Sequence, residues 1–320
     1  MTSIILTDTG LAEIPELEHT TITELFVDYN SISMIWVASL PPNLQRFDCA
    51  FNCVSSDGLP VQWPRTIKDI NLDYNNICDT DHVIEWPENL ESLQISNNPL
   101  QKIPRKLPKS LRKIRMRNTD IQIVEHLPQD LRDLDCYNAK IFEIYALPLS
   151  LVNCHLAKNY LSCVVPMWPM GLKVLDLAFN FLTEFPQGLP DTLEHLNLSN
   201  NLIKEVPKRI PLRLNTLILR GNKIRKVRLE LVARQKLLIF SLADNCLTEL
   251  PKCLYEGEQI SQYDVSRNFL EPEYDIYARK IQEWFVLVRG RNILRSWRRI
   301  CILREELLQV AMRPDRYGNF

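Results

Sequence analysis

Side chains that could carry acid–base, nucleophilic or metal chemistry are scattered along this 320-residue chain. The five histidines show no metal-ligand spacing, and the nine cysteines, an odd number, include no C-x-x-C pair. The sequence has no glycine-rich phosphate loop, no Ser–His–Asp set and no pair of carboxylates placed for acid–base catalysis. It therefore predicts no catalytic site, no metal site and no bound cofactor.

The side chains that stand out are suited to binding. The aromatic residues Tyr29, Phe51 and Tyr74 recur at nearly equal intervals along the chain. An aspartate lies close to each ring in the sequence: Asp28, Asp48 and Asp73. Exposed rings are costly without a partner and are favoured as anchors in protein interfaces. These residues predict a protein-binding surface whose carboxylates select a basic partner, and the alternative is that the rings only stack on one another.

Two arginines further along the chain allow two interpretations. Arg115 and Arg117 each precede an aspartate, Asp133 and Asp135 respectively, by 18 residues. The arginines either belong to the partner-binding surface or neutralise these aspartates, because opposite charges on neighbouring strands attract each other. The residues alone leave both interpretations open.

An internal repeat reveals the elements that position these residues. The segment from Leu193 to Pro207 fits the pattern L-x-x-L-x-L-x-x-N-x-L, followed by polar residues, an apolar residue and proline. Thirteen segments match this pattern, at steps of 20 to 23 residues. The repeats begin at Met1, Ile22, Leu44, Ile67, Leu90, Leu111, Leu131, Leu151, Leu172, Leu193, Leu214, Leu237 and Ile260.

Each position of the pattern has a physical meaning. Apolar residues at the first, fourth and sixth positions point into a core, whereas the third, fifth, seventh and eighth positions point outward. The ninth position is asparagine in ten of the thirteen repeats, and its amide is expected to satisfy backbone groups freed where each strand turns. Ala139 occupies the ninth position of the seventh repeat, so we expect the array to be weakest there.

The second half of each repeat is rich in proline. The chain has twenty prolines against eight glycines, and proline disfavours a helix because it fixes φ and lacks an N–H. We therefore predict an α/β-type repeat solenoid, curved, with a parallel β-sheet on the concave face and a mostly non-helical convex side. The rings and aspartates would lie on the concave face.

These elements resemble leucine-rich-repeat proteins of the short, proline-rich bacterial-effector type. The segments Leu-Pro-Lys-Ser-Leu (107–111) and Leu-Pro-Asp-Thr-Leu (189–193) are similar to the linkers of those effectors. The resemblance covers residues 1–272 and implies a solenoid of about thirteen repeats that binds a macromolecule. Some effectors carry a ubiquitin-ligase domain with a Cys-x-Asp motif, which this sequence lacks, so the ligase activity is not carried over.

Residues 273–320 have a different pattern. Apolar residues at helical spacing predict a C-terminal helical segment, and residues 274–320 contain ten Lys or Arg against five Asp or Glu. The segment is interpreted either as a cap on the solenoid or as a basic docking element for an acidic partner, a phosphate backbone or an anionic membrane. The stretch from Trp297 to Arg316 resembles the tails of repeat proteins of large amoeba-infecting DNA viruses, which implies a viral protein.

The predicted function is a non-enzymatic protein–protein interaction scaffold or adaptor in a cytoplasm, a host cytoplasm or virion if the protein is viral. The alternative is a structural component of a virus particle, with the solenoid as spacer and the basic tail as anchor. A net charge of -1 and a pI of about 6.5 disfavour nucleic acid as a partner, except through the tail. No segment approaches the roughly 18 apolar residues of a membrane span. The oligomeric state stays open.

Overall fold

The structure, a computed structural model, describes residues 2–17, 21–164, 167–230, 235–254 and 260–270. The helical segment expected at residues 273–320, with both interpretations of its basic residues, lies outside the described residues. The chain divides into two compact parts. The first part is Met1–Phe181 with Gln187–Pro190, and the second is Leu182–Pro186 with Asp191–Phe320.

Short strands recur along the chain, and one lies near the start of every repeat identified in the sequence. The first part contains β1 (Thr2–Ile5), β2 (Ile22–Phe26), β3 (Arg46–Asp48), β4 (Asp69–Asn71), β5 (Ser92–Gln94), β6 (Lys113–Arg115), β7 (Ile123–Val124), β8 (Asp133–Asp135), β9 (Glu143–Ile144), β10 (Asn153–His155) and β11 (Val174–Asp176). The second contains β12 (His195–Asn197), β13 (Glu205–Val206), β14 (Thr216–Ile218), β15 (Lys226–Val227), β16 (Leu237–Ser241) and β17 (Ile260–Asp264).

In the first part, the strands that open the repeats pair in parallel with one another, each with the strand of the next repeat. The pairing joins equivalent positions: Asp48 is the register partner of Asn71, and Asn71 of Gln94. Each outward position therefore forms a row of side chains across the strands. The predicted parallel sheet, built from one strand per repeat, is confirmed.

The core of the first part is formed by the first, fourth and sixth positions of each repeat, as the pattern predicts. In the third repeat these are Leu44, Phe47 and Cys49, which are at most 1% exposed. Burying a large apolar side chain stabilises the folded chain by about 1.5–3 kcal/mol. Because the repeat is short and regular, the core is continuous from one strand to the next.

The cysteines are only partly core residues. Cys49, Cys136 and Cys154 are fully buried, and burial raises the pKa of each thiol. In contrast, Cys53 and Cys163 are exposed. The cysteines at core positions are therefore shielded from solvent, whereas these two are open to it.

The side of the first part opposite the strands has almost no helix. Its helical elements among the described residues are the short 3₁₀ turns Val37–Ser39 and Ser56–Gly58. In each of the third to ninth repeats, one proline lies at a tight turn before the strand, and its carbonyl accepts the N–H of the apolar residue three positions later, as in Pro41 and Leu44 at 3.1 Å. The predicted non-helical side is confirmed, although these prolines open turns and do not only extend the chain.

The second part repeats the same construction. Strands β12, β14, β16 and β17 pair in parallel in that order, and β13 pairs with β15 on the return side. A 3₁₀ turn covers Lys252–Leu254. Among the described residues of the chain, no helix has the length and apolar character needed to cross a membrane.

Candidate partner-binding surface

A buried asparagine at the ninth position fixes the turn that follows each strand. In the third repeat, Asn52 Nδ2 donates to the carbonyls of Cys49 and Ala50 at 3.2 and 3.1 Å, and to that of Val27 in the preceding repeat at 3.0 Å. Its Oδ1 accepts the backbone N–H of Ile32 at 2.9 Å. The same four bonds recur at Asn75, Asn98, Asn159, Asn180, Asn222, Asn245 and Asn268. The predicted role of these amides is confirmed.

The residue before this asparagine, at the eighth position, has a left-handed backbone in all thirteen repeats, with φ between 51° and 70°. Glycine, asparagine and aspartate adopt this conformation most readily, whereas it costs other residues about 1–3 kcal/mol. Tyr29, Phe51 and Tyr74 occupy this position. They therefore lie in the turns after the strands and not on the strands, which corrects their expected placement on the sheet itself.

The three aromatic residues Tyr29, Phe51 and Tyr74 form a stack, which we call the ring column. Ring centroids are 4.3 Å apart for Tyr29 and Phe51 and 4.0 Å apart for Phe51 and Tyr74, with interplanar angles of 8° and 12°. The residues are 53%, 36% and 46% exposed, respectively. Each ring pair stabilises the fold by about 0.5–1.5 kcal/mol, which offsets part of the backbone cost. The predicted stack is present, and it forms a fixed apolar surface beside the sheet.

In the next three repeats, the eighth position holds asparagine in place of an aromatic residue. Asn118 Nδ2 donates to Asn97 Oδ1 at 2.7 Å, and Asn138 Nδ2 donates to Asn118 Oδ1 at 2.8 Å. Asparagine therefore meets the same backbone requirement and also bonds to its neighbours along the column. The fold does not require aromatic rings at this position.

The predicted carboxylates are half-buried and held by neutral donors. Asp48 accepts the backbone N–H of Ala50 at 3.1 Å and a hydrogen bond from Asn71 Nδ2 at 2.9 Å. Asp28 accepts the hydroxyl of Thr7 at 2.7 Å. Neutral donors orient a carboxylate without cancelling its charge, so both groups still attract a cation.

Asp73 is held more tightly than the other two. Its Oδ1 accepts the backbone N–H of Ser96 at 2.5 Å. Burial raises the pKa of the Asp73 carboxyl, while hydrogen bonds from the N–H and hydroxyl of Ser96 and the charge of Arg115 act to lower it. The net direction is upward, because desolvation is the largest of these effects.

The two predicted arginines have different surroundings. Arg117 Nε and Nη2 lie 2.6 and 2.5 Å from Oδ2 of the buried Asp135, and this hydrogen-bonded pair raises the pKa of the Arg117 guanidinium. Arg115 Nη1 donates to Gln94 Oε1 at 3.0 Å and is in no ion pair within the described part of the chain. The geometry favours neutralisation for Arg117, whereas Arg115 acts on the carboxyl of Asp73 only from beyond ion-pair distance.

The surface around the ring column is acidic. We call the outward side chains on the strands, at the third and fifth positions of each repeat, the open face. On this face and at the seventh and eighth positions, the first four repeats carry six carboxylates: Asp8, Glu24, Asp28, Asp48, Asp69 and Asp73. The same positions carry one cation, Arg46, whose Nη1 lies 3.5 Å from Glu24 Oε1. The other five carboxylates lie outside ion pairs in the described regions, so this surface attracts cations.

Comparison with known proteins agrees with this geometry. A family model described as Leucine Rich Repeat matches residues 89–111 and 192–211. The structure of YopM from Yersinia enterocolitica WA-314 matches with a TM-score of 0.63 and 27% identity, over 82% of this chain and 59% of that one. The fold is that of a leucine-rich-repeat solenoid. The likeness to YopM supports the expected similarity to bacterial effectors, whereas the viral resemblance rests on a tail outside the described residues and stays a prediction.

Other matches have partial coverage or low identity. Toll-like receptor 8 of Homo sapiens is 31% identical over 127 residues, which is 38% of this chain but only 10% of the receptor. The leucine-rich-repeat solenoid also aligns with an octameric complex of latrophilin 3, Unc5D and FLRT2, with a TM-score of 0.61 and 17% identity, over 83% of this chain and 81% of the matched chain. At this identity the second match shows the fold alone.

One group that shapes the surface was not found from the sequence: Ser96, which fixes Asp73 through a contact between two repeats. The contact of Arg117 with Asp135 also joins two repeats, and it matches one of the two interpretations of the sequence. A signal for the backbone of the ring column was present, because seven of the thirteen eighth-position residues are asparagine, aspartate or glycine. That composition is typical of a left-handed turn position.

Proposed function

We propose that this chain is a non-enzymatic protein-interaction module, a scaffold or adaptor, that binds its partner on the open face of the first four repeats. The ring column anchors the partner through apolar contact at the edge of this face. The aspartates select a basic surface on the partner: Asp28, Asp48 and Asp73. Aromatic residues are enriched among the residues that dominate binding energy, and polar or charged residues form the rim around them.

One observation carries the proposal: aromatic rings occupy a left-handed backbone position at which the fold accepts asparagine. Asn97, Asn118 and Asn138 fill this position in the next repeats and bond to one another. The rings of Tyr29 and Phe51 bring a backbone cost and an exposed apolar surface that the fold could avoid. Strain kept at an exposed surface supports a role in binding.

The comparisons support the same class of function. One sequence match, Toll-like receptor 8, is named as a receptor. A solenoid presents a long, rigid surface, which suits contact with another protein better than it suits a closed reaction cavity. On these grounds we propose interaction, not catalysis, for this chain.

The test replaces the ring column with the asparagines that the fold already uses in neighbouring repeats. The variant carries Tyr29→Asn, Phe51→Asn and Tyr74→Asn. A matched control carries Tyr160→Asn and Phe181→Asn, because these exposed residues also stack, at 6.1 Å and 21°, but lie outside the open face. Both variants and the parent chain serve as bait for cross-linking and capture from cell lysate, with far-UV circular dichroism to check folding.

We expect a partner captured by the parent chain and by the control to be lost by the ring-column variant. The loss should occur without loss of folded structure, because asparagine fits the left-handed backbone. Equal capture by all three baits would contradict the proposal and would point to the return side as the binding surface.

The alternative of a structural component of a virus particle rests on residues 273–320, so it stays a prediction. Action in a cytoplasm is part of our proposal. Fractionation of cells that express the intact chain tests this location. Recovery in the secreted fraction would contradict it.

A further inference from the structure

A row of four polar side chains crosses the strands beside the ring column. Asp48, Asn71, Gln94 and Arg115 are successive register partners in strands β3, β4, β5 and β6, and each occupies the fifth position of its repeat. We call these four residues the polar row. Asn71 Nδ2 donates to the Asp48 carboxylate at 2.9 Å, and Gln94 Oε1 accepts from Arg115 Nη1 at 3.0 Å. The two middle amides are therefore oriented by opposite charges at the two ends.

Neither end of the polar row forms an ion pair within the described residues, although the charge of Arg115 acts on the carboxyl of Asp73 and the next register partner of Arg115 is Asp135. Asp48 bonds only to neutral donors, and Arg115 bonds to a neutral acceptor, whereas the neighbouring Arg117 is occupied by Asp135. Parallel strands lie about 4.8 Å apart, so three strand steps separate the two charges by about 14 Å. A negative end and a positive end thus lie on one face at a fixed distance.

The charges that a bound segment meets depend on the direction in which it runs over the strands. Each of the strands β3 to β6 has only three residues, so a segment parallel to a strand meets the charge of a single repeat. A segment that crosses the strands meets both ends of the polar row. An extended chain covers about 3.3–3.6 Å per residue, so about four residues span the distance from Asp48 to Arg115.

We propose that the partner presents an extended segment that crosses the strands, with a basic side chain over Asp48 and an acidic side chain about four residues away over Arg115. The inference rests on the proposed function and names the chemistry of the partner. A uniformly basic segment fits less well, because it brings a like charge onto Arg115, and like charges placed together in an interface reject a partner.

The experiment uses the intact chain and three synthetic peptides of about twelve residues, long enough to cross the polar row in extended form. All three carry the same pair of arginines in a neutral background. About four residues further on, the first has glutamate, the second glutamine and the third arginine. Fluorescence anisotropy measures binding to the parent chain and to the variants Asp48→Asn, Arg115→Gln and, as a control, Arg105→Gln, an exposed arginine on the return side.

We expect the parent chain to bind the glutamate peptide about tenfold more tightly than the glutamine peptide, a difference of about 1.4 kcal/mol. The arginine peptide should bind most weakly of the three. Arg115→Gln should remove this preference while retaining affinity for the glutamine peptide, and Asp48→Asn should weaken all three. The Arg105→Gln control should behave like the parent chain.

Other outcomes separate the inference from the proposed function. A parent chain that binds the glutamate peptide no better than the others, or not at all, overturns the inference. So does a preference that survives Arg115→Gln. If Asp48→Asn and the ring-column variant still weaken binding of the captured protein partner, the proposed function stands without the inference. If neither substitution affects that partner, both are wrong.

Discussion

The carboxylate of Asp73 accepts the backbone N–H of Ser96, in the following repeat, at 2.5 Å. This bond holds an acidic side chain that is half-buried beside the ring column. Burial raises the pKa of the Asp73 carboxyl above its ordinary value, although both donors of Ser96 oppose the shift. The site therefore keeps a negative charge in place at a cost to stability, which is expected of a group retained for binding.

The pH dependence of stability tests this assignment. Because the pKa of Asp73 is higher in the folded chain than in the unfolded chain, the ionised carboxylate costs stability at neutral pH, and the cost disappears below the unfolded pKa. Asp73→Asn removes the ionisation. We therefore expect the stability of the variant, relative to the parent chain, to be higher at pH 7 than at about pH 3. Urea unfolding at the two pH values measures the difference.

A double-mutant cycle with Ser96→Ala controls that prediction. Loss of the Ser96 hydroxyl removes a hydrogen bond that lowers the pKa of Asp73, so the alanine variant should lose more stability at pH 7 than at about pH 3. In the Asp73→Asn background, the same substitution should lose this pH dependence. A serine substitution with equal effects at both pH values would contradict the assignment.

The buried asparagines should contribute strongly to stability. Asn75 Nδ2 donates to three carbonyls, and its Oδ1 accepts the N–H of Val54. Asn75→Ala leaves these buried backbone groups without a partner, so we expect a loss of about 2–3 kcal/mol in urea unfolding. Asn76→Ala is the matched control, because Asn76 is exposed, and it should change stability by less than about 0.5 kcal/mol. Equal effects of the two substitutions would rule out this role of the amide.

The sequence predicts those parts of the fold that depend on position within a repeat. The burial of Leu44 and Phe47 follows from the spacing of apolar residues, and the role of Asn52 follows from its place after the strand. The left-handed backbone of Phe51 does not follow from side-chain alternation, because it is a property of φ. The contact of Arg117 with Asp135 depends on side-chain conformations across two repeats, so the sequence leaves it as one of two interpretations.

The backbone cost at the eighth position can be measured away from the ring column. Phe179 has φ of 54° and an exposed side chain. Phe179→Asn should raise the free energy of unfolding by about 0.5–1 kcal/mol, because asparagine adopts the left-handed conformation more readily. The same substitution at exposed Phe181, which stacks on Tyr160, should instead lower stability. If Phe179→Asn also destabilises the chain, the rings of the column carry less strain than we infer.

The stabilising role of the ninth-position asparagine can also be tested in the seventh repeat, which has alanine at this position. Ala139 is fully buried at the ninth position, and its N–H donates to Asn159 Oδ1 at 3.1 Å. In Ala139→Asn, the equivalent bonds would run from the new amide to the carbonyls of Met116 and Cys136 and from the N–H of Ile121 to its oxygen. We expect a gain of about 1 kcal/mol in urea unfolding, since each net hydrogen bond contributes about that amount and the added side chain must be ordered.

The matched control for this gain is Ala139→Asp. Aspartate has nearly the shape of asparagine but lacks the two N–H donors, and an ionised carboxylate facing buried carbonyls is repelled. Ala139→Asp should therefore destabilise the chain, in contrast to Ala139→Asn. If both substitutions lower stability to the same extent, the seventh repeat has no room for the side chain. Its alanine would then be a packing requirement and not the weak point that the sequence predicts.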